Sequence, residues 1–158
     1  MSVNSLPTRI HNDEIEPDPM EDESYFYRHY PVKFSVEIKN AKNTITKYSP
    51  CGMVFITDKR IMFIAEEPTP DDSFETFHIF LEDVVSSVRR VNKYFRKNVF
   101  SVTITLRTGV IINMDIVYDM EDIEDKRIFE DYYGMLVTWA ARTVPERYRT
   151  DSRVSGVK

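Results

Sequence analysis

The sequence predicts a mainly β domain with one C-terminal helix: a seven-stranded β-sandwich or partly open barrel capped by an amphipathic α-helix. Three observations carry that expectation. Apolar and polar residues alternate with period two in several stretches between Val32 and Ile116. Two continuous apolar runs, "MVFIT" and "RIMFIA", flank a two-residue charged break. Beyond Glu121 the apolar period lengthens to that of a helix.

Val32, Phe34, Val36 and Ile38 alternate with Lys33, Ser35, Glu37 and Lys39, the pattern of a half-buried strand. "NAKNTITKYSPCG" follows and reads as a loop closed by Pro50 and Gly52. Met53–Thr57 and Arg60–Ala65 read as a tight hairpin, and their unbroken apolar character places them centrally, covered on both faces. "EEPTPDDS" is a loop on composition. Phe74–Leu81 suits a strand, and Asp83–Val91 another, with a short helix over "EDVVSSV" as the alternative. Phe100, Val102, Ile104 and Leu106 alternate cleanly, and Arg107-Thr108-Gly109 turns the chain into Val110, Ile112, Met114 and Ile116.

Phe129, Tyr132, Tyr133, Leu136, Val137 and Ala140 then share one helical face. Acids from Asp119 to Asp125 crowd the helix start, where they complement its dipole, and Pro145 stops it. Gly134 inside this span reads as an allowance for close packing against the sheet.

Residues 1–24 hold three prolines and an acidic run, and read as an acidic disordered N-terminal arm. The folded domain is assigned to residues 25–144, and residues 145–158 to a flexible basic tail. The net charge of −5 is concentrated at one end: residues 1–30 carry seven acids against Arg9 and Arg28, leaving the remainder neutral. A neutral domain with an acidic arm argues against DNA as a partner. No apolar run reaches the roughly 20 residues of a membrane-spanning helix. With Cys51 as the single cysteine, the expected location is the cytoplasm, with peripheral membrane attachment or the nucleus as further options.

Gly52, "MVFIT", Asp58-Lys59, Arg60 and "IMFIA" form a pattern that resembles the GRAM branch of the pleckstrin-homology-like superfold. Phe77–Phe80 followed by Leu81-Glu82-Asp83-Val84 matches the aromatic strand and "LEDV"-like element of that branch. The aromatic lead-in "SYFYRHYPVKFSVEI" makes the layout similar to the WW-domain-binding protein 2 type. The resemblance covers about residues 30–118. It implies a membrane-associated adaptor that binds phosphoinositides or proteins. The proline-rich PPxY motifs of the WW-binding type do not occur in this sequence, so WW-domain binding is not carried over.

The sequence does not point to an enzyme. Cys51, His11, His29 and His78 fit no zinc spacing, and no cofactor is expected. No nucleophile elbow, phosphate-cradling loop or dinucleotide fingerprint occurs. A Cys51–His78 nucleophile–base pair has nothing to mark it.

Two groups of cations are candidates for a lipid headgroup or other anion. Arg89, Arg90, Lys93, Arg96 and Lys97 are interleaved with Tyr94 and Phe95 between two strands, so that cations would grip phosphates while the aromatics enter the interfacial layer. Lys42 and Lys47, with Lys59 and Arg60 at the hairpin tip, form a looser second group. Against this stands a plain reading of the tip as a solvated turn, with the Arg60 stem over apolar surface and its head in water. The alternative function is a protein-interaction scaffold, docking a peptide or subunit on a sheet edge or on the terminal helix through Tyr133 and Trp139, with Tyr94 and Phe95 as further interface candidates. The acidic arm would steer a basic partner or fold back over the basic loop as an autoinhibitory cover. RNA is disfavoured, because Ser101, Thr103 and Thr105 occupy the polar strand face where stacking aromatics are needed.

Overall fold

Alternation and apolar runs translate into strands along most of the chain. The structure, a computed structural model, describes residues 1–68, 73–91 and 96–142, without the side chains of 141 and 142. In chain order these form β1 (Ser2–Val3), β2 (Thr8–His11), β3 (Glu14–Pro17), β4 (Tyr25–Lys39), β5 (Thr44–Thr57), β6 (Arg60–Ala65), β7 (Thr76–Phe80), β8 (Val84–Arg89), β9 (Val99–Leu106), β10 (Ile111–Tyr118) and α1 (Ile123–Arg142). The expected basic tail and Lys93, Tyr94 and Phe95 lie outside the described residues.

Eight strands make one antiparallel sheet in the order β1-β7-β6-β5-β4-β10-β9-β8. β4 is the pivot, because it pairs with β5 on one side and β10 on the other. The sheet curls around one core and stays open between its edges, β1 and β8. α1 closes that opening: Phe129, Tyr133, Leu136 and Ala140 are buried in the same apolar cluster as Phe34, Phe63, Phe100 and Ile116. Phe34 stacks on Phe63 at 4.4 Å between centroids, while Phe100 meets Phe129 at 5.2 Å and Tyr133 at 5.0 Å, both edge-on. This is the mainly β, helix-capped layout that the sequence predicts, with β1 added as an eighth strand of the main sheet.

The central placement of the two apolar runs has a direct cause. Val54, Ile56, Ile61 and Phe63 face the main core, while Phe55, Met62 and Ile64 face outward into a second cluster with Leu6. The N-terminal segment covers that outer face, so its expected disorder is corrected. β1 pairs with β7, the Asn4 side chain accepts the Glu75 amide at 2.7 Å, and Leu6 is buried. Here an apolar face needing cover outweighs the acidic composition.

Two further expectations are corrected. "NTITKYSPCG" is strand rather than loop: Thr44–Ser49 pair with Lys39–Phe34, and Pro50 falls at a register shift between the Phe34–Ser49 and Val32–Gly52 pairs. Proline, which has no N–H, is tolerated in a sheet at such an irregularity. Gly134 does not enable close packing, since nothing lies within 4 Å of the position its Cβ would occupy. Gly52 is the glycine that packing requires, because a Cβ there would collide with the Ile64 carbonyl and sit 2.7 Å from Phe63 Cε1.

Candidate functional site

Arg60, expected to hold its head in water, is buried. Its side chain is 3% exposed and that of Glu23 0%. The guanidinium donates from Nε to Glu23 Oε2 at 2.8 Å, and from Nη2 to Glu23 Oε1 and the Asp18 carbonyl, each at 2.9 Å. Burial alone would raise the Glu23 pKa. The Arg60 guanidinium, the Met20 amide and the Thr57 hydroxyl outweigh burial and hold the carboxyl below its ordinary value. Thr57 Oγ1 also accepts the Lys59 and Arg60 amides, so it closes the β5–β6 turn from within. Arg60 therefore anchors the N-terminal segment, and Lys59, half-buried, is the cation left at the tip.

Arg89 and Arg90 also face carboxylates of their own domain. Arg89 pairs with Glu130 on α1 and lies 4.5 Å over the Phe100 ring. Arg90 donates to Asp115 Oδ1 at 2.8 Å and to the Met114 carbonyl at 3.0 Å. Arg96 and Lys97 are exposed before β9, Lys42 is exposed in the β4–β5 turn, and Lys47 is half-buried on β5. The predicted cations are thus spread over three connections and their flanking strands, with three of the arginines neutralised internally.

Tyr133 does not serve as an interface residue, because it is 4% exposed and its hydroxyl meets Ser87 Oγ beneath the helix. Trp139 is 50% exposed. It belongs to a second stripe, one residue out of phase with the buried one, formed by Ile128, Tyr132, Met135 and Trp139 at spacings of four, three and four. Ile128 and Met135 are exposed, and Tyr132 is half-buried with its ring 5.7 Å from that of exposed Phe26 on β4. Beside Trp139 a cleft of about 400 Å³ opens between Met20, Asp58, Lys59, Phe80 and Glu82. Sequence reasoning isolated Trp139 and missed Ile128, Met135, Met20 and Phe26, although the 4-3-4 spacing was readable. The sheet edge at β8 also exposes apolar side chains, Val85 and Val88, as does the β2–β3 hairpin with Ile10 and Ile15.

A second cleft, about 420 Å³, lies between the β2–β3 hairpin and the sheet, with Ile15, Met53 and Ile64 as apolar walls. At its rim the Tyr30 hydroxyl donates to Glu66 at 2.7 Å, and Cys51 Sγ lies 3.7 Å from that hydroxyl. Burial and the neighbouring Glu66 push the Cys51 thiol up, which disfavours the thiolate a nucleophile needs. His78 lies elsewhere, on β7, with its buried Nδ1 lacking a hydrogen-bond partner. The structure does not bring the two together as a catalytic pair.

His29, Asp122 and Asp125 converge, with ligand-type atoms within 4.8 Å of one another. His29 Nε2 is 3.1 Å from Asp122, and Tyr27 donates to the Asp125 carbonyl at 2.8 Å. These contacts fasten the start of α1 to β4. A separation of 93 residues kept the pairing out of any sequence spacing. Among the described residues no helix is long and apolar enough to cross a membrane.

No family model and no curated protein matches the chain. Three solved structures resemble it in fold. The Vps36 N-terminal PH domain is 14% identical with a TM-score of 0.42, over 75% of this chain and 88% of that one. The DH/PH domains of PDZ-RhoGEF, in complex with GTP-gamma-S activated RhoA, are 11% identical with a TM-score of 0.45, over 73% of this chain. The DH/PH domains of p115-RhoGEF are 11% identical with a TM-score of 0.40, over 75% of this chain. The match spans 30% of each RhoGEF chain.

Proposed function

We propose that the protein is a non-catalytic binding module of the GRAM branch, acting as an adaptor that docks a protein partner on the exposed flank of α1. The observation that supports this reading most is the stripe from Ile128 to Trp139, in which Ile128, Met135 and Trp139 are exposed large apolar side chains beside a cleft. Tryptophan is enriched among interface anchors, and a half-exposed one beside a concavity suits that role. The internal pairing of Arg60, Arg89 and Arg90 weighs against a headgroup cradle built on them. Phosphoinositide binding is the second reading. It draws on exposed Arg96 and Lys97, with Lys42 and Lys59 at separate turns.

Two variants separate the readings in vesicle co-sedimentation and partner capture. Met135→Asp abolishes partner capture and leaves any phosphoinositide binding intact, whereas Arg96→Glu/Lys97→Glu does the reverse. Capture that survives Met135→Asp and fails with the Arg96/Lys97 variant overturns the helix-flank reading.

A further inference from the structure

We infer that the α1 flank is a seat for a basic amphipathic helix of a partner protein. This rests on the docking reading above and adds the chemistry of the occupant. The 4-3-4 spacing of Ile128, Tyr132, Met135 and Trp139 is the d-a-d-a seam of a heptad pattern, which in an α-helix presents one apolar ridge to another helix. From Ile128 to Trp139 the seam runs about 16 Å, three turns, at the usual helical rise. Phe26 beside Tyr132 and Met20 beside Trp139 widen the ridge into a shallow groove on its sheet side.

Charge decides which helix fits. On the solvent side the seam is bordered by Glu124 and exposed Asp131, and the cleft at its Trp139 end is rimmed by Asp58 and Glu82. Arg127 on that side lies 2.9 Å from Glu124 and neutralises it. Lys59 is the basic member of the cleft. Among the described side chains, Asp131 beside the seam and the Asp58 and Glu82 carboxylates over Lys59 at the cleft leave the border net acidic, and lysines or arginines flanking the partner's apolar ridge meet these carboxylates.

The same border disfavours the other occupants. An anionic leaflet would be repelled by the carboxylates that surround Trp139. A second copy would set two borders of the same net acidic sign, carrying Asp131, Asp58 and Glu82, against each other.

Trp139 is the sole tryptophan, so its emission reports on this seam alone. The test titrates the full chain with a three-heptad helical peptide carrying leucine at a and d and lysine at e and g, and with a twin carrying glutamate at e and g. The lysine peptide is expected to shift Trp139 emission to shorter wavelength, the glutamate twin to leave it unchanged, and added salt to weaken the first. Ile128→Asp with Met135→Asp, both at exposed positions, is expected to weaken the lysine peptide by about tenfold or more with an unchanged melting curve. Equal binding of the two peptides overturns the basic partner while leaving helix-flank docking in place. If neither peptide binds, docking of a helix here is overturned as well. If phosphatidylserine vesicles alone shift the emission, the flank is a membrane surface and both readings fall.

Discussion

The Glu23 carboxylate accepts four hydrogen bonds, from the Met20 amide, the Thr57 hydroxyl and two guanidinium nitrogens of Arg60. Removing one partner of a buried ion pair strands the other, at a cost of about 3–5 kcal/mol. Glu23→Gln is therefore expected to destabilise the fold by roughly that amount, and Glu23→Leu with Arg60→Met to recover much of it; urea unfolding measures both. The depressed pKa adds a pH signature. Glu23 contributes stability above its unfolded value, near about 4.3, and loses it as pH falls through the lower folded value. The Gln variant lacks that acid limb.

His78 acts in a separate window. Burial first, then the terminal amino group and Arg60, push its pKa down to about 4. The unfolded chain takes up the proton first as pH falls, so His78 costs stability progressively from about 6.5 down to about 4. His78→Leu is expected to flatten stability across that interval, and a slope identical to the parent protein would count against buried neutral histidine. The Glu23–Arg60 pair was not legible in the sequence, although His78 was placed in a strand. Glu23 stands in an acidic run that looks uniformly solvated, and Arg60, 37 residues away, looks like any turn cation.

At the scale of elements, legibility followed locality. The helix and the hairpins could be read because their signals are periodic over neighbouring residues, and β9, β10 and α1 lie close to where alternation and the 3.6-residue period place them. The first half of β5 could not, since Thr44–Ser49 owe their strand character to the ladder with β4 and Pro50 advertises a loop. The candidate site divides the same way. Trp139 stood out alone, while Phe26 and Met20 join it through tertiary contacts of an aromatic lead-in and an acidic arm.

Two glycines turn this into tests. Gly134 sits mid-helix with open space around it, so Gly134→Ala is expected to raise stability by about 0.5–1 kcal/mol. Gly52 meets the β6 backbone and the Phe63 ring, so Gly52→Ala is expected to lower stability by about 1–3 kcal/mol through overpacking. Opposite signs for one chemical change, read from thermal melts, distinguish packing from propensity.

For the molecule as a whole, the N-terminal segment belongs to the fold's energetics. Leu6 caps Phe55, Met62 and Ile64, and Glu23 neutralises Arg60, so residues 1–24 supply both a lid and a counter-charge to the outer face of the sheet. Burying one large aliphatic side chain is worth about 1.5–3 kcal/mol, and the ion pair about 3–5 when broken from one side. Together these approach the roughly 5–15 kcal/mol by which domains are stable at all. Deleting residues 1–24 is accordingly a poor probe of autoinhibition, because any new binding it uncovers includes exposed core. The deletion is expected to lower the melting temperature sharply and to bind an apolar dye. Deleting only residues 2–6, which leaves Glu23 on Arg60, is expected to cost less. Adding Arg60→Met to the longer deletion removes the stranded cation and restores part of the melting temperature while dye binding persists. If that substitution restores nothing, the ion pair is not what holds the arm, and the apolar lid alone accounts for its loss.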